Sequence, residues 1–228
     1  MSEANFDEIA AEYDESLPAH VVAHYLDKRV RFIAERAPLP GRGLDVGCGT
    51  GVLAARLAAI GWRMDGIDPS QGMLDVMARE APAVRGQRAF GDDLPFDGDT
   101  FDLVVTVAAL HHVADPDAVR GTLIEMARVV RPGGRIVVWD HNPRNPYWKI
   151  LMARVPQDDG SERLIGEDEV LAGLGAGGAR VLSSEPLGFV PDFVPPRLLA
   201  ATARVEGAVE RTPLVRRLCA HNVVVASK

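Results

Sequence analysis

The stretch that decides the fold is LDVGCGTGVLAARLAAIGWRMDGID, Leu44 to Asp68. It reads strand, glycine turn, helix, strand. Gly47, Gly49 and Gly51 alternate directly after an apolar run, and Gly61 closes the helix that follows. A glycine turn between a strand and a helix lets a ligand lie against bare backbone. Dinucleotide sites space these glycines G-x-G-x-x-G and seat a pyrophosphate on the helix N-terminus. Here the spacing is G-x-G-x-G, and an acid, Asp45, stands two residues before the first glycine. A pyrophosphate gains nothing from a carboxylate there. A ligand carrying an ammonium and a sulfonium does, by up to about a few kcal/mol at ~4 Å and an intermediate effective dielectric. The stretch therefore favours S-adenosylmethionine over a nicotinamide cofactor. Asp68, at the end of the second strand, is placed to accept from a ribose diol. Either cofactor would use it, so it does not discriminate. Pro69 and Met73 are placed to flank an adenine, although Met73 reads equally well as a core methionine.

Outward from this stretch, strands and helices alternate. Residues 17–37 carry Val21, Tyr25, Leu26, Val30 and Ile33 on a helical stripe, and PLPGRG (38–43) breaks it. Residues 70–82 read as a helix with Ser70 as N-cap. RGQRAFGDD is a weaker third strand, and FDLVVTVAAL (101–110) is a run suited to a strand buried on both faces. Asp115-Pro116 opens the next helix, RPGG (131–134) stops it, and RIVVWDHN (135–142) is the fifth strand. Beyond 142 the pattern loosens to a short helix at most and an acidic turn. A strand over GGARVLSSEPLGFV, a helix over 195–212 and a last strand over 221–228 follow. This alternation argues for an α/β fold with a mostly parallel sheet.

The 228 residues suit one domain. Net charge is -7, and positive charge is nearly all scattered arginine, so a polyanion partner is disfavoured and nucleic acid is not expected. An acidic chain is also not drawn to anionic lipid. No apolar run approaches the roughly 18 residues of a membrane span, so no stable membrane insertion is expected. The two cysteines, Cys48 and Cys219, match no zinc spacing, and the N-terminus lacks an apolar signal core. The expectation is a soluble, cytoplasmic protein.

LDVGCGTG, followed by GIDPSQGML, GDDLPF, FDLVVTVAALHHV and RPGGRIVV, resembles the class I S-adenosylmethionine-dependent methyltransferases of the small-molecule, type 11-like kind. The resemblance covers residues 43–140 and reaches more thinly to FDEIAAEYD near the N-terminus. It implies a Rossmann-like seven-stranded sheet, mostly parallel, with helices on both faces and a last antiparallel strand. It implies a single domain. Residues 1–37 would be a lid, 38–142 the cofactor-binding core, 143–220 substrate-side inserts with strand six, and 221–228 the last strand. It places the backbone of Gly47, Cys48 and Gly49 on the methionine part and ribose, with Gly51 completing the loop and Asp45 near the amino group. Asp68 would take the ribose hydroxyls, and Asp92 or Asp93 with Leu94 the adenine. Val107 would offer backbone groups, and Tyr13 would close from the lid.

Methyl transfer is an in-line displacement in which the enzyme mainly orients the nucleophile and can remove a proton. His111 and His112 follow strand four on the ligand side of such a sheet, and imidazole suits a general base. The same histidines also suit packing under the loop. Asp140 and Asn142 read as turn residues; with Asp115 they leave an oxygen-ligand set incomplete, so no catalytic metal is expected. Tyr147 and Trp148 fit a substrate wall or a packed cap. The reading is methyl transfer to a small molecule, with O-, N- and C-acceptors open. A nicotinamide oxidoreductase and a non-catalytic S-adenosylmethionine-binding protein are the alternatives.

Overall fold

The computed structural model describes residues 3–13, 17–37, 41–152 and 162–228; side chains are described from Phe6 onward, Lys149 excepted. Residues 38–40 of the break expected at 38–43, and residues 153–161 of the insert, lie outside the described residues. Two helices, α1 (Glu3–Ile9) and α2 (Ala19–Arg36), precede the sheet. Then come β1 (Arg42–Val46), α3 (Val52–Ala59), β2 (Arg63–Asp68), α4 (Gln71–Glu80), β3 (Arg85–Arg88) and β4 (Phe101–Val107). After β4 follow α5 (Pro116–Val129), β5 (Val130–His141), α6 (Trp148–Leu151) and α7 (Glu167–Ala176). The chain ends with β6 (Arg180–Leu187), α8 (Leu199–Arg211) and β7 (His221–Ser227).

The seven strands lie in the order β3-β2-β1-β4-β5-β7-β6. All are parallel except β7, which runs antiparallel to both β5 and β6. Strand order reverses between β1 and β4, so the crevice beyond their carboxyl ends is the expected ligand position. The pleat sorts the apolar residues into two cores. Val105, Val137, Trp139, Val223 and Val225 face α2, α3 and α4, and Val104, Ile136, Val138, Val224 and Ala226 face α5 and α7. Leu44 and Val46 join the α5 side, so Asp45 between them projects toward α2. Among the described residues no helix is long and apolar enough to cross a membrane.

Several elements differ from the sequence expectation. β5 begins at Val130, so RPGG lies inside the strand; Phe101 pairs with Val130 and Leu103 with Arg135, leaving the extra residues as a bulge. β3 ends at Arg88. The helix expected over 195–212 starts as a 3-10 turn, Pro196–Leu198, before α8. The sequence of α1 shows only polar residues with spaced apolars. Its Asp7 accepts from Ser70 Oγ (2.5 Å) and Gly72 N (2.8 Å), so α1 docks on the start of α4. The sequence shows only an acidic turn up to Val170 where α7 begins, and gives residues 171–176 no element. α7 buries Val170 and Leu174 in the α5-side core. Its glycines hid it by lowering helix propensity. They also allow the close packing: a Cβ on Gly173 would lie 2.5 Å from Leu123 Cδ1, and one on Gly177 2.6 Å from Ala127 Cβ.

Candidate active site

The glycine turn is set by backbone shape and close approach. Gly47, Gly49 and Gly51 all have left-handed φ, 74°, 52° and 78°. A Cβ on Gly47 would lie 2.5 Å from Ala109 Cβ, where the chain leaving β4 passes the turn. Gly47 N and Cys48 N donate to Ile67 O, tying the turn to β2. Asp68 extends the tie: Oδ2 accepts from Gly49 N and Oδ1 from Ser70 N, both at 2.9 Å. Burial raises the Asp68 pKa against these two donors. The Cys48 thiol is buried 3.7 Å from Met77 Sδ, and burial pushes its pKa well up, so it is no nucleophile at neutral pH.

Asp45 is 2% exposed. Burial raises its pKa to about 7; the Asp68 charge adds to this and Arg29 opposes it. Arg29 reaches in from α2, its guanidinium 6.0 Å from the Tyr25 ring centre and 5.9 Å from that of Trp139. Its Nε is buried without a hydrogen-bond partner among the described residues. Asp45 and Arg29 line one cavity of about 590 Å³.

The far half of that cavity is aromatic and imidazole-rich. Ala108, with φ 54°, turns the chain sharply after β4 into a 3-10 turn, Leu110–His112. Asp140, from the end of β5, organises this turn. Its Oδ2 accepts from Leu110 N at 2.8 Å and His111 N at 3.3 Å. Its Oδ1 lies 2.7 Å from His111 Nδ1 and accepts from His141 N at 2.6 Å. Burial raises the Asp140 pKa, but the His111 ring and these donors outweigh it and hold the carboxyl below its ordinary value. The His111 ring stacks on His141 at 3.9 Å, and His141 stacks on Trp148 of α6 at 3.5 Å. Burial, then the neighbouring His111 and His221 rings, lowers His141 well below the ordinary imidazole value. Burial, then Arg29, lowers His221 to about 3.

Ligand atoms of His111, Asp140 and His141 lie within 4.8 Å of one another. A metal takes imidazole nitrogens in the ring plane. Two rings stacked 3.9 Å apart and inclined by only 19° do not aim such lone pairs at one point. A hydrogen-bonded Asp–His pair fits the geometry better.

A family model described as a methyltransferase domain matches residues 44–138. A demethylmenaquinone methyltransferase of Renibacterium salmoninarum is 32% identical over 164 residues, covering 66% of this chain and 68% of that one. The chain belongs to the class I S-adenosylmethionine-dependent methyltransferase family. A demethylmenaquinone methyltransferase of Clavibacter sepedonicus is 40% identical over 139 residues, 59% of this chain and 56% of that one. The chain spans about half the length of several curated relatives that it matches. A Thermotoga maritima structure described as an S-adenosylmethionine-dependent methyltransferase, possible histamine N-methyltransferase, covers 99% of this chain with TM-score 0.70 and 20% identity. The [4+2]-cyclase SpnF covers 89% of this chain and is itself covered to 80%, with TM-score 0.62 and 25% identity.

Within this methyltransferase fold, Tyr13, Asp45, Gly47, Cys48, Gly49, Val107, His111 and His112 line the cavity. The other residues named from sequence lie off its wall. Gly51 packs against Met77, and Asp68 sits behind the turn. Pro69 takes Arg88 Nε on its carbonyl, and Met73 is buried with Phe6 and Val76 beneath α1. Asp92 and Asp93 are exposed, while Leu94 is buried in the α5-side core. Sequence reasoning missed Arg29 and His221. Arg29 had a signal: it sits four residues after Tyr25 and four before Ile33, on the apolar stripe of α2.

Proposed function

We propose that this chain transfers a methyl group from S-adenosylmethionine to a hydroxylated, ring-containing small molecule, with His111 as the base. The observation that carries this reading is one cavity joining the glycine turn, Asp45 and Arg29 to the Asp140–His111 pair. The cofactor fits the residues present. A buried acid and a half-buried cation whose Nε is buried and unpartnered among the described residues line the same space, matching the ammonium and carboxylate of an amino acid. Gly47, Cys48 and Gly49 leave bare backbone beside them, and Asp68, Asp92, Asp93 and Leu94 are proposed for the ribose and adenine. Bound S-adenosylmethionine supplies a methyl group activated by a sulfonium.

The rest is done by the chain. Asp140 holds Nδ1 of His111, which leaves Nε2 to take a proton from an acceptor hydroxyl. A phenolate attacks through oxygen; a quinol anion attacks through a ring carbon as well. His111, His141 and Trp148 form one face-to-face stack whose edges line this half of the cavity and offer an acceptor ring apolar contact. His141 and His221, both held neutral, add no charge to the acceptor half. The two relatives named as demethylmenaquinone methyltransferases support a quinol acceptor. A cavity of this size suits a small molecule. Tyr13, α2 and the segments around 143–152 and 189–193 act as the lid.

A second reading is reaction without methyl transfer, favoured by the cyclase that shares the fold. Titration with S-adenosylmethionine and with NADH, followed by S-adenosylhomocysteine release across phenols, quinols and amines, separates the readings. Cofactor binding with release only in the presence of a hydroxylated ring supports methyl transfer. Tight NADH binding alone, or binding without release, overturns it.

A further inference from the structure

The segment between the cavity-lining residues Phe193 and Leu218 has a composition unlike the rest of the chain. Residues 195–218 hold five arginines against two glutamates, a net +3 in a chain of net charge -7, so the remainder carries -10. Both glutamates turn inward. Glu206 Oε2 pairs with His24 Nε2 at 2.8 Å and Lys28 Nζ at 2.9 Å, and Glu210 pairs with Lys28. Glu206 is the one fully buried residue of α8. The helix is thus inverted: acids face α2, while Ala201, Arg204, Val205, Ala208 and Arg211 face outward.

The same surface is studded with exposed apolar side chains. Phe193 lines the cavity and yet is 71% exposed, which puts it on the rim of the mouth. Leu218, on the rim too, is half exposed, and Leu214, one turn earlier, is 75% exposed. The turn Val215–Leu218 packs on α8, so rim and helix face are continuous. Among the described residues, Arg197, Arg204, Arg211, Arg216 and Arg217 have no acidic partner.

We infer that this face docks on an anionic lipid bilayer, with the cavity mouth turned toward the lipid. Interleaved arginines and protruding aliphatic side chains match such an interface: the apolar tips enter the headgroup region and the guanidiniums take lipid phosphates. Arginine stems can lie along apolar surface while their heads stay wet, so the two residue types do not compete for position. The net charge of the chain hides this, because its acids lie elsewhere. Docking would let an apolar acceptor pass from lipid into the aromatic half of the cavity. That delivery step rests on the methyl-transfer reading; the docking does not.

The test is sedimentation of the full chain with vesicles of phosphatidylcholine alone or with about one-third phosphatidylglycerol, at low and high salt. The expected result is about tenfold or greater preference for the anionic vesicles, lost at high salt. Arg204→Glu with Arg211→Glu should lower that binding about tenfold or more. Leu214→Asp should weaken it further, with S-adenosylmethionine affinity unchanged in every variant as the control for fold. No binding by the wild-type chain, or equal binding by the variants, overturns the inference. So does a dimer that Leu214→Asp dissociates, which would assign the face to a second copy. S-adenosylhomocysteine release with a soluble acceptor is measured on the same samples, so failure of docking and failure of the methyl-transfer reading are told apart.

Discussion

If Asp45 receives the ammonium of S-adenosylmethionine, binding must depend on pH in a particular way. Burial raises its pKa to about 7, so at pH 7 about half the empty sites hold a proton. An ammonium partner favours the ionised form and expels that proton. Affinity then falls about tenfold per pH unit below the empty-site value. From pH 7 to pH 5 the ionised fraction drops about fiftyfold, or ~2.3 kcal/mol. The sign for stability is opposite: the raised folded-state value means the empty protein loses stability as pH rises from the ordinary carboxylate range through about 7. Calorimetry from pH 5 to 7.5 measures both affinity and proton release, and it stays below the titration of the ligand amine. Asp68 is also raised by burial and Arg29 lies close, so the control is Asp45→Asn. That variant should bind weakly with a flat profile. A flat wild-type profile, or an unchanged profile in Asp45→Asn, would refute the reasoning.

Three further outcomes follow from the same structure. Asp140→Asn should lower turnover by about a hundredfold or more while leaving cofactor affinity near the wild-type value, measured as kcat against Kd. Burial raises the Glu206 pKa, but His24, Lys28 and the Phe189 amide overcome this and hold it at about 2. That pairing contributes about 3 kcal/mol above the ordinary glutamate value and is lost as pH falls toward 2, so Glu206→Gln should lower the urea midpoint at pH 7 by a matching amount. Gly173→Val should cost about 1–3 kcal/mol by forcing α7 off Leu123, read as a lower thermal midpoint with unchanged cofactor affinity.

Elements with a clean period were legible. β4 reads as a buried strand because FDLVVTV is apolar throughout, and the turn at 47–51 reads from its glycines. α7 was not legible, because Gly173 and Gly175 weaken the helical signal, Gly173 for the sake of a contact with α5 that the sequence does not display. The candidate site divides the same way. Asp45 and His111 stand beside recognisable motifs. Asp140 and Arg29 gain meaning only through tertiary structure: Asp140 reaches His111 because β4 and β5 are neighbours, and Arg29 reaches the cavity because α2 packs over Trp139 of β5. The charge reading was limited by averaging. A net charge of -7 speaks against anionic lipid, whereas five arginines in the segment 195–218, which contributes Leu218 to the cavity rim, speak for it.

The most direct test of the account follows a label from S-adenosylmethionine carrying an isotopically marked methyl group into an extracted quinol acceptor, at saturating cofactor. The account predicts labelled product from the wild-type chain and about a hundredfold or lower rate from His111→Gln at equal cofactor occupancy. Equal labelling by the two proteins, or none by either while the cofactor is bound, would contradict it.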